Sequence, residues 1–201
     1  MLGAGTDSTY ITMEWAMAEI VRNPQVMKKL QDEVTRIAGK KARIEEVDLP
    51  QMTYLKAIIK ESMRLHPTGP LLVPRESMED TGIQGYHIPK QTRVVINVWA
   101  IGRDPEVWES PEEFRPERFM GSDVDFKGND FQLTPFGAGR RICPGIQFAV
   151  PIIELAIANL VHRFEWKLAD GVKGEDMDMG EAPGLNTRRR AGLQLIATRR
   201  S

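Results

Sequence analysis

Cysteine is almost missing from this chain: Cys143 is the only one in 201 residues. One thiol cannot form an internal disulfide or build a cysteine-rich zinc site, so Cys143 acts as a lone sulfur, and a reducing compartment suits it. Charge imbalance is missing too. Lysine plus arginine number 27 against 28 aspartate plus glutamate, a formal net charge of −1, which gives no electrostatic case for nucleic acid. The arginines at Arg188 to Arg190 and at Arg199 and Arg200 lack the interleaved aromatic residues that single-strand binding requires, and are read as solvated charge. Long apolar runs are scarce: the longest uncharged stretch of the second half, residues 142–153, carries Pro144 and Pro151 and falls short of the roughly 20 residues a bilayer crossing needs. No spanning or signal segment is expected. His66, His87 and His162 stand in no metal-ligand spacing and read as caps or surface residues.

What is present begins with helices. Residues 1–21 have helical composition, yet they include Gly3 and Gly5, each costing about 1 kcal/mol against alanine inside a helix, which implies a local purpose. Asn23 followed by Pro24 is a helix-start signal, with asparagine as cap, and predicts a second helix over 24–38 that Gly39 ends. Residues 48–50 form a connector. A third helix over about 52–65 puts Leu55, Ile58, Ile59 and Ser62 on one stripe, and Pro67 stops it.

Beyond Pro67 the period changes, and 83–88 and 94–98 read as short strands between Gly and Pro turns. Residues 104–134 are dense in Pro, Gly and charge, predicting an irregular loop pinned by burial of Phe114, Phe119, Phe126 and Phe131. A fourth helix should run from near Gly145 to about His162, followed by a polar loop over 170–181 and a last strand over 191–198. The class expected is α+β, mainly helical with small sheets, in a single domain.

The most specific feature is the run from Pro135 to Gly145, in which Phe136, Gly137 and Gly139 precede Cys143 and a helix follows it. A thiolate beside a helix N-terminus is stabilised by the unpaired N–H groups and the macrodipole, and glycines let backbone approach a flat group closely. The run resembles the haem-binding loop of the cytochromes P-450, Phe-x-x-Gly-x-Arg-x-Cys-x-Gly, whose five fixed places are filled here by Phe136, Gly139, Arg141, Cys143 and Gly145. The resemblance implies haem b (iron protoporphyrin IX) as cofactor, Cys143 as the axial ligand of the iron and Arg141 on a propionate. Thiolate ligation favours O–O cleavage, the step monooxygenation needs. Taken alone, Cys143 also fits a buried inert thiol, and Cys143-Pro144 a haem-responsive binding module.

Three further segments carry the resemblance. Glu61 and Arg64 lie one helical turn apart, which taken alone is the spacing of a common surface pair; with Arg118 they look like the family's Glu-x-x-Arg helix and the downstream arginine that completes a buried triad, which holds the cysteine loop's scaffold. Ala4-Gly5-Thr6-Asp7-Ser8-Thr9 looks like the oxygen-activation motif: Asp7 is the acid, Ser8 stands where threonine is usual, Thr9 is a nearby substitute and Ala4 borders the pocket. The same residues fit a polar helix start. By resemblance Leu71, Leu72, Val73 and Leu185 line a substrate pocket and Arg75 meets a second propionate.

The implied function is insertion of one oxygen atom of O2 into a small lipophilic substrate, with electrons from an NADPH-dependent flavin reductase. The wording around the motifs looks most like plant microsomal members, on the cytosolic face of the endoplasmic reticulum. Residues 1–201 correspond to the C-terminal part of that fold, from the long distal helix onward. The N-terminal part and its membrane anchor are expected to be missing, leaving apolar side chains of the first helix uncovered. A truncated, non-catalytic product is the alternative.

Overall fold

The computed structural model describes residues 2–200. Met1, the first residue of the first expected helix, lies outside them. Helix α1 spans Leu2–Arg22, α2 Pro24–Ala38 and α3 Thr53–Leu65. Strand β1 (Arg75–Glu76), the hairpin β2 (Thr81–Ile83) and β3 (Tyr86–Ile88), and β4 (Arg93–Val94) come next, followed by the short α4 (Val98–Ile101). After a long irregular stretch, α5 runs over Ile146–Arg163 and leads into β5 (Phe164–Leu168), β6 (Glu181–Ala182), β7 (Arg188–Arg189) and β8 (Leu195–Arg199). Among the described residues the strands form four two-stranded antiparallel sheets, β1 with β4, β2 with β3, β5 with β8 and β6 with β7.

The core sits where α1, α2, α3 and α5 meet, and α1 runs through it. From Ile11 to Ile20 nearly every α1 side chain is buried, Thr12, Glu14 and Glu19 included. This corrects the expectation that the helix leaves its apolar residues uncovered; of the large ones described on it, only Tyr10 is exposed. On α3 the stripe of Leu55, Ile58, Ile59 and Ser62 is buried as its spacing requires. Burying such aliphatic side chains is worth about 1.5–3 kcal/mol each.

Helix α5 is, by length and composition, apolar enough to cross a membrane. The expectation of no such segment stopped at Glu154, whereas the helix continues beyond it through apolar residues. Its buried side, including Ile153, Ile157 and Val161, belongs to the same core, so packing accounts for its apolarity.

Several expectations change. Asn23 sits at the start of α2, but its amide donates to Glu19, to the backbone carbonyl at 2.8 Å and the carboxylate at 3.2 Å, and caps nothing ahead of it. The connector over 48–50 is the middle of a 3-10 turn, Glu46–Gln51, held by a reciprocal capping box between Glu45 and Asp48. The strand expected over 83–88 is a hairpin turning at Gln84 and Gly85, both at positive φ, the backbone a tight two-residue turn needs. Pairing stops at Val94, and Asn97 then caps α4 by accepting the Ala100 N–H at 3.0 Å.

Of the four phenylalanines expected to pin the long loop, Phe119 and Phe126 are buried and Phe114 is half-buried, but Phe131 is 74% exposed. Strand β5 had no forecast; it supplies the partner that makes the last strand possible. Arg189 is buried rather than solvated, its guanidinium 5.4 Å from the Trp15 ring centre and 2.7 Å from the Asp178 carbonyl it donates to. His66, expected as a cap or surface residue, does end α3 but is buried.

Candidate haem-binding site

The run Phe136 to Gly145 forms a closed loop. The Cys143 N–H donates to the Phe136 carbonyl at 2.9 Å, and a 3-10 turn over Gly139–Arg141 fills the arc between them. Gly137 (φ 74) and Gly139 (φ 64) lie in the left-handed region, where a residue with a Cβ costs roughly 1–2 kcal/mol. The loop's base is fixed by an edge contact between the Phe136 and Phe126 rings, 5.5 Å apart.

Cys143 stands two residues before Gly145, the N-cap of α5, and is exposed. The Gly145 N–H donates to Cys143 Sγ at 3.4 Å. A sulfur walled in by side chains could ligate nothing large; this one faces outward, with a helix start behind it. The sulfur is therefore open to a large ligand.

Opposite the loop runs the segment between α3 and β1. Leu72 approaches Gly137 so closely that a Cβ there would touch its Cδ1 at 3.6 Å. Arg75 donates to the Arg141 carbonyl at 3.2 Å, which brings both arginines to the same edge of the loop. Leu71 and Val73 are exposed. An open sulfur, a glycine surface without side chains, two arginines and exposed aliphatics form a donor and contact set that fits an anionic, flat, largely apolar macrocycle.

Glu61, Arg64 and Arg118 come together in a buried cluster. Glu61 is 0% exposed and accepts Arg64 Nε at 2.7 Å and Nη2 at 2.8 Å, Arg118 Nε at 3.0 Å and the Arg115 backbone N–H at 2.8 Å. Arg64 also donates to the carbonyls of Gly102, Pro111 and Glu113, and Arg118 to those of Glu109, Ser110 and Glu113. Both guanidinium groups lie within 6 Å of the Trp108 ring centre, at 5.3 and 5.9 Å. The cluster is thus a clamp on the backbone of 102–113, where regular ladders are lacking.

The α1 residues stand apart from that cluster. Ala4 and Asp7 are exposed, Ser8 and Thr9 half-buried. The Ser8 hydroxyl donates to the Ala4 carbonyl at 2.7 Å, the back-bond a serine makes inside a helix. One turn on, Thr12 Oγ1 meets Thr68 Oγ1 at 3.0 Å and joins α1 to the segment that reaches the cysteine loop. Leu185, on the turn between β6 and β7, is 78% exposed. A surface cleft of about 380 Å³ between the start of α2 and Glu117 contains none of these residues.

Sequence reasoning missed Thr12, Thr68, Trp108 and the pair His66 and Glu19. A signal existed for some of them. A helix that buries Glu14 and Glu19 must supply those carboxylates with partners, and here the Leu193 N–H donates to Glu14 while His66 meets Glu19.

A family model for cytochrome P450 matches residues 1–194, and the chain belongs to that family. It is 58% identical to Cytochrome P450 71A1 of Persea americana over 199 residues, covering 99% of this chain and 40% of that protein. It is 54% identical over 201 residues to a norfluorocurarine oxidase of Strychnos sp., of which it spans 39%. Among solved structures, a zebra fish cytochrome P450 with abiraterone superimposes with a TM-score of 0.87 at 32% identity, covering 98% of this chain and 45% of that one. The mixed fold of helices and small sheets is therefore the cytochrome P450 fold over this span, of the kind found in plant members, and the family's cofactor is haem b. The chain spans about two fifths of the length of the curated relatives it matches.

Proposed function

We propose that this chain is the thiolate-bearing C-terminal part of a haem monooxygenase that oxidises a small lipophilic substrate with O2, using electrons from an NADPH-dependent flavin reductase. The observation carrying this is the outward-facing Cys143 Sγ, held by the Gly145 N–H at the start of α5 beside a left-handed glycine loop. Bound haem would supply the redox-active iron, and thiolate ligation favours O–O cleavage.

In this reading Cys143 would ligate the iron, and the backbone of Phe136, Gly137, Gly139 and Gly145 would let the porphyrin lie against the loop. Arg75 and Arg141, gathered by their mutual contact, take the propionates in charge-assisted pairs. Leu71, Leu72, Val73, Ala4 and Leu185 line the substrate side. Asp7 holds a proton for delivery, with the Ser8 or Thr9 hydroxyl as carrier. Ser8 already donates to Ala4, so it must leave that bond to relay, and Thr9 is the second carrier. Glu61, Arg64 and Arg118 do no chemistry; they keep the loop's support rigid. Similarity to plant members supports a membrane location, on the cytosolic face of the endoplasmic reticulum.

The test is the ferrous carbonyl spectrum of the haem-loaded protein. A thiolate-type Soret band is expected, and Cys143→Ala abolishes it. An unchanged band in that variant removes Cys143 as ligand and the reading with it.

A further inference from the structure

Residues 66–75 touch both α1 and the cysteine loop. At the start of the segment the His66 ring lies flat on Trp15 of α1, centres 3.9 Å apart and planes within 1°. Its Nε2 is 2.8 Å from Oε1 of Glu19, one turn further along the helix. Thr68 then meets Thr12. At the segment's other end Leu72 lies on Gly137 and Arg75 on the Arg141 carbonyl.

His66 is 7% exposed and Glu19 2%, so their contact is no surface pair of the weak kind. The second ring nitrogen, Nδ1, has no hydrogen-bond partner although it is buried, and stands 3.9 Å from Oε1 of Glu181 at the start of β6. One bridging water or a small rotation closes a gap of that length.

We infer that His66 is a positioning residue: gripped by Glu19 and stacked on Trp15 on one side and facing Glu181 on the other, it sets the seat of segment 66–75. Through that segment it sets the separation between α1 and the Cys143 loop. The inference rests on the haem reading above, since that separation matters only if the macrocycle lies between the two. A misplacement of about 1 Å remote from a reacting centre can cost on the order of a hundredfold, so a buried anchor at one end of the segment has leverage on the site.

The test compares two ligands of the ferric iron in the haem-loaded protein, imidazole as a compact probe and 4-phenylimidazole as one that needs room on the α1 side. His66→Phe keeps the stack, drops the contact with Glu19 and removes the nitrogen that faces Glu181. The ratio of the two Kd values is expected to shift about tenfold with the carbonyl band in place, and His66→Gln, which retains a donor for Glu19, restores most of the ratio. A purely stabilising His66 would lower Tm and leave the ratio unmoved, which overturns the inference. If His66→Phe loads no haem, Glu181→Ala decides, because that side chain is one-third exposed and its loss spares the core: a ratio shifted at least about fivefold supports the inference and a smaller shift overturns it. Absence of a thiolate-type band in the unmodified protein is a different result and defeats the haem reading itself.

Discussion

Replacing Glu61 by alanine is the sharpest stability test, because all four bonds converging on that carboxylate are buried or nearly so. Hydrogen bonds to charged groups contribute about 1.5–3 kcal/mol each, so simple addition gives roughly 6–12 kcal/mol, as much as the whole stability of a typical domain, about 5–15 kcal/mol. Addition overstates the loss, since Arg64 and Arg118 each keep three carbonyl acceptors. What remains is two guanidinium groups without their counter-charge, one of them 1% exposed, and stranding a buried charge costs about 3–5 kcal/mol. We therefore expect Glu61→Ala to lose about 3–5 kcal/mol. Glu61→Gln keeps the shape and one acceptor and should lose about 1.5–3 kcal/mol. Urea unfolding of the haem-loaded protein, followed by tryptophan fluorescence and the Soret band, measures both; Trp108 lies against both arginines and reports locally. A loss below about 1 kcal/mol for Glu61→Ala, with haem retained, would refute the view that this carboxylate is the hub of the clamp.

Three further outcomes are expected. Gly102→Ala should destabilise far more than Gly69→Ala: a Cβ at Gly102 overlaps the Arg64 carbonyl, whereas Gly69 faces open space. Comparable thermal midpoints for the two variants would contradict this. Glu154→Gln should stabilise at neutral pH, because burial pushes the Glu154 carboxyl above its ordinary range. A raised carboxylate pKa means the folded state holds its proton more tightly, so the wild type loses stability as pH rises from the ordinary glutamate pKa through the folded one. The advantage of glutamine should then vanish below about pH 4, and a pH-independent difference in denaturant midpoint would argue against it. Gly139→Ala, forcing a side chain into the left-handed region, should cost roughly 1–2 kcal/mol and weaken haem retention, checked by haem transfer to apomyoglobin.

The helices were legible because their signals are local. The stripe on α3, the stop at Pro67 and the start at Pro24 each depend on residues a few positions apart, and α1, α2, α3 and α5 lie within a residue or two of their expected bounds. The cysteine loop was legible for the same reason, since five spaced residues and a following helix fit in one short run. The strands were harder. Those of two or three residues have no period to read, and β5 exists because β8, some 30 residues further along, lies beside it.

His66 and Arg189 were misread because their partners are distant in the chain. Nothing near His66, Glu19 or Arg189 tells that they are buried, because their contacts are made across elements. Conversely Phe131, apolar enough to suggest a pin, is left outside.

By itself, then, the order of residues determined the family, the helices and the loop that offers a sulfur, since each is written in neighbours. Only the tertiary structure decided that His66, Glu19 and Arg189 are hidden, which backbone carbonyls Arg64 and Arg118 clamp, and that segment 66–75 joins α1 to the cysteine loop. Burial and pairing are properties of residues that meet in space, and the chain brings them together only when the core closes.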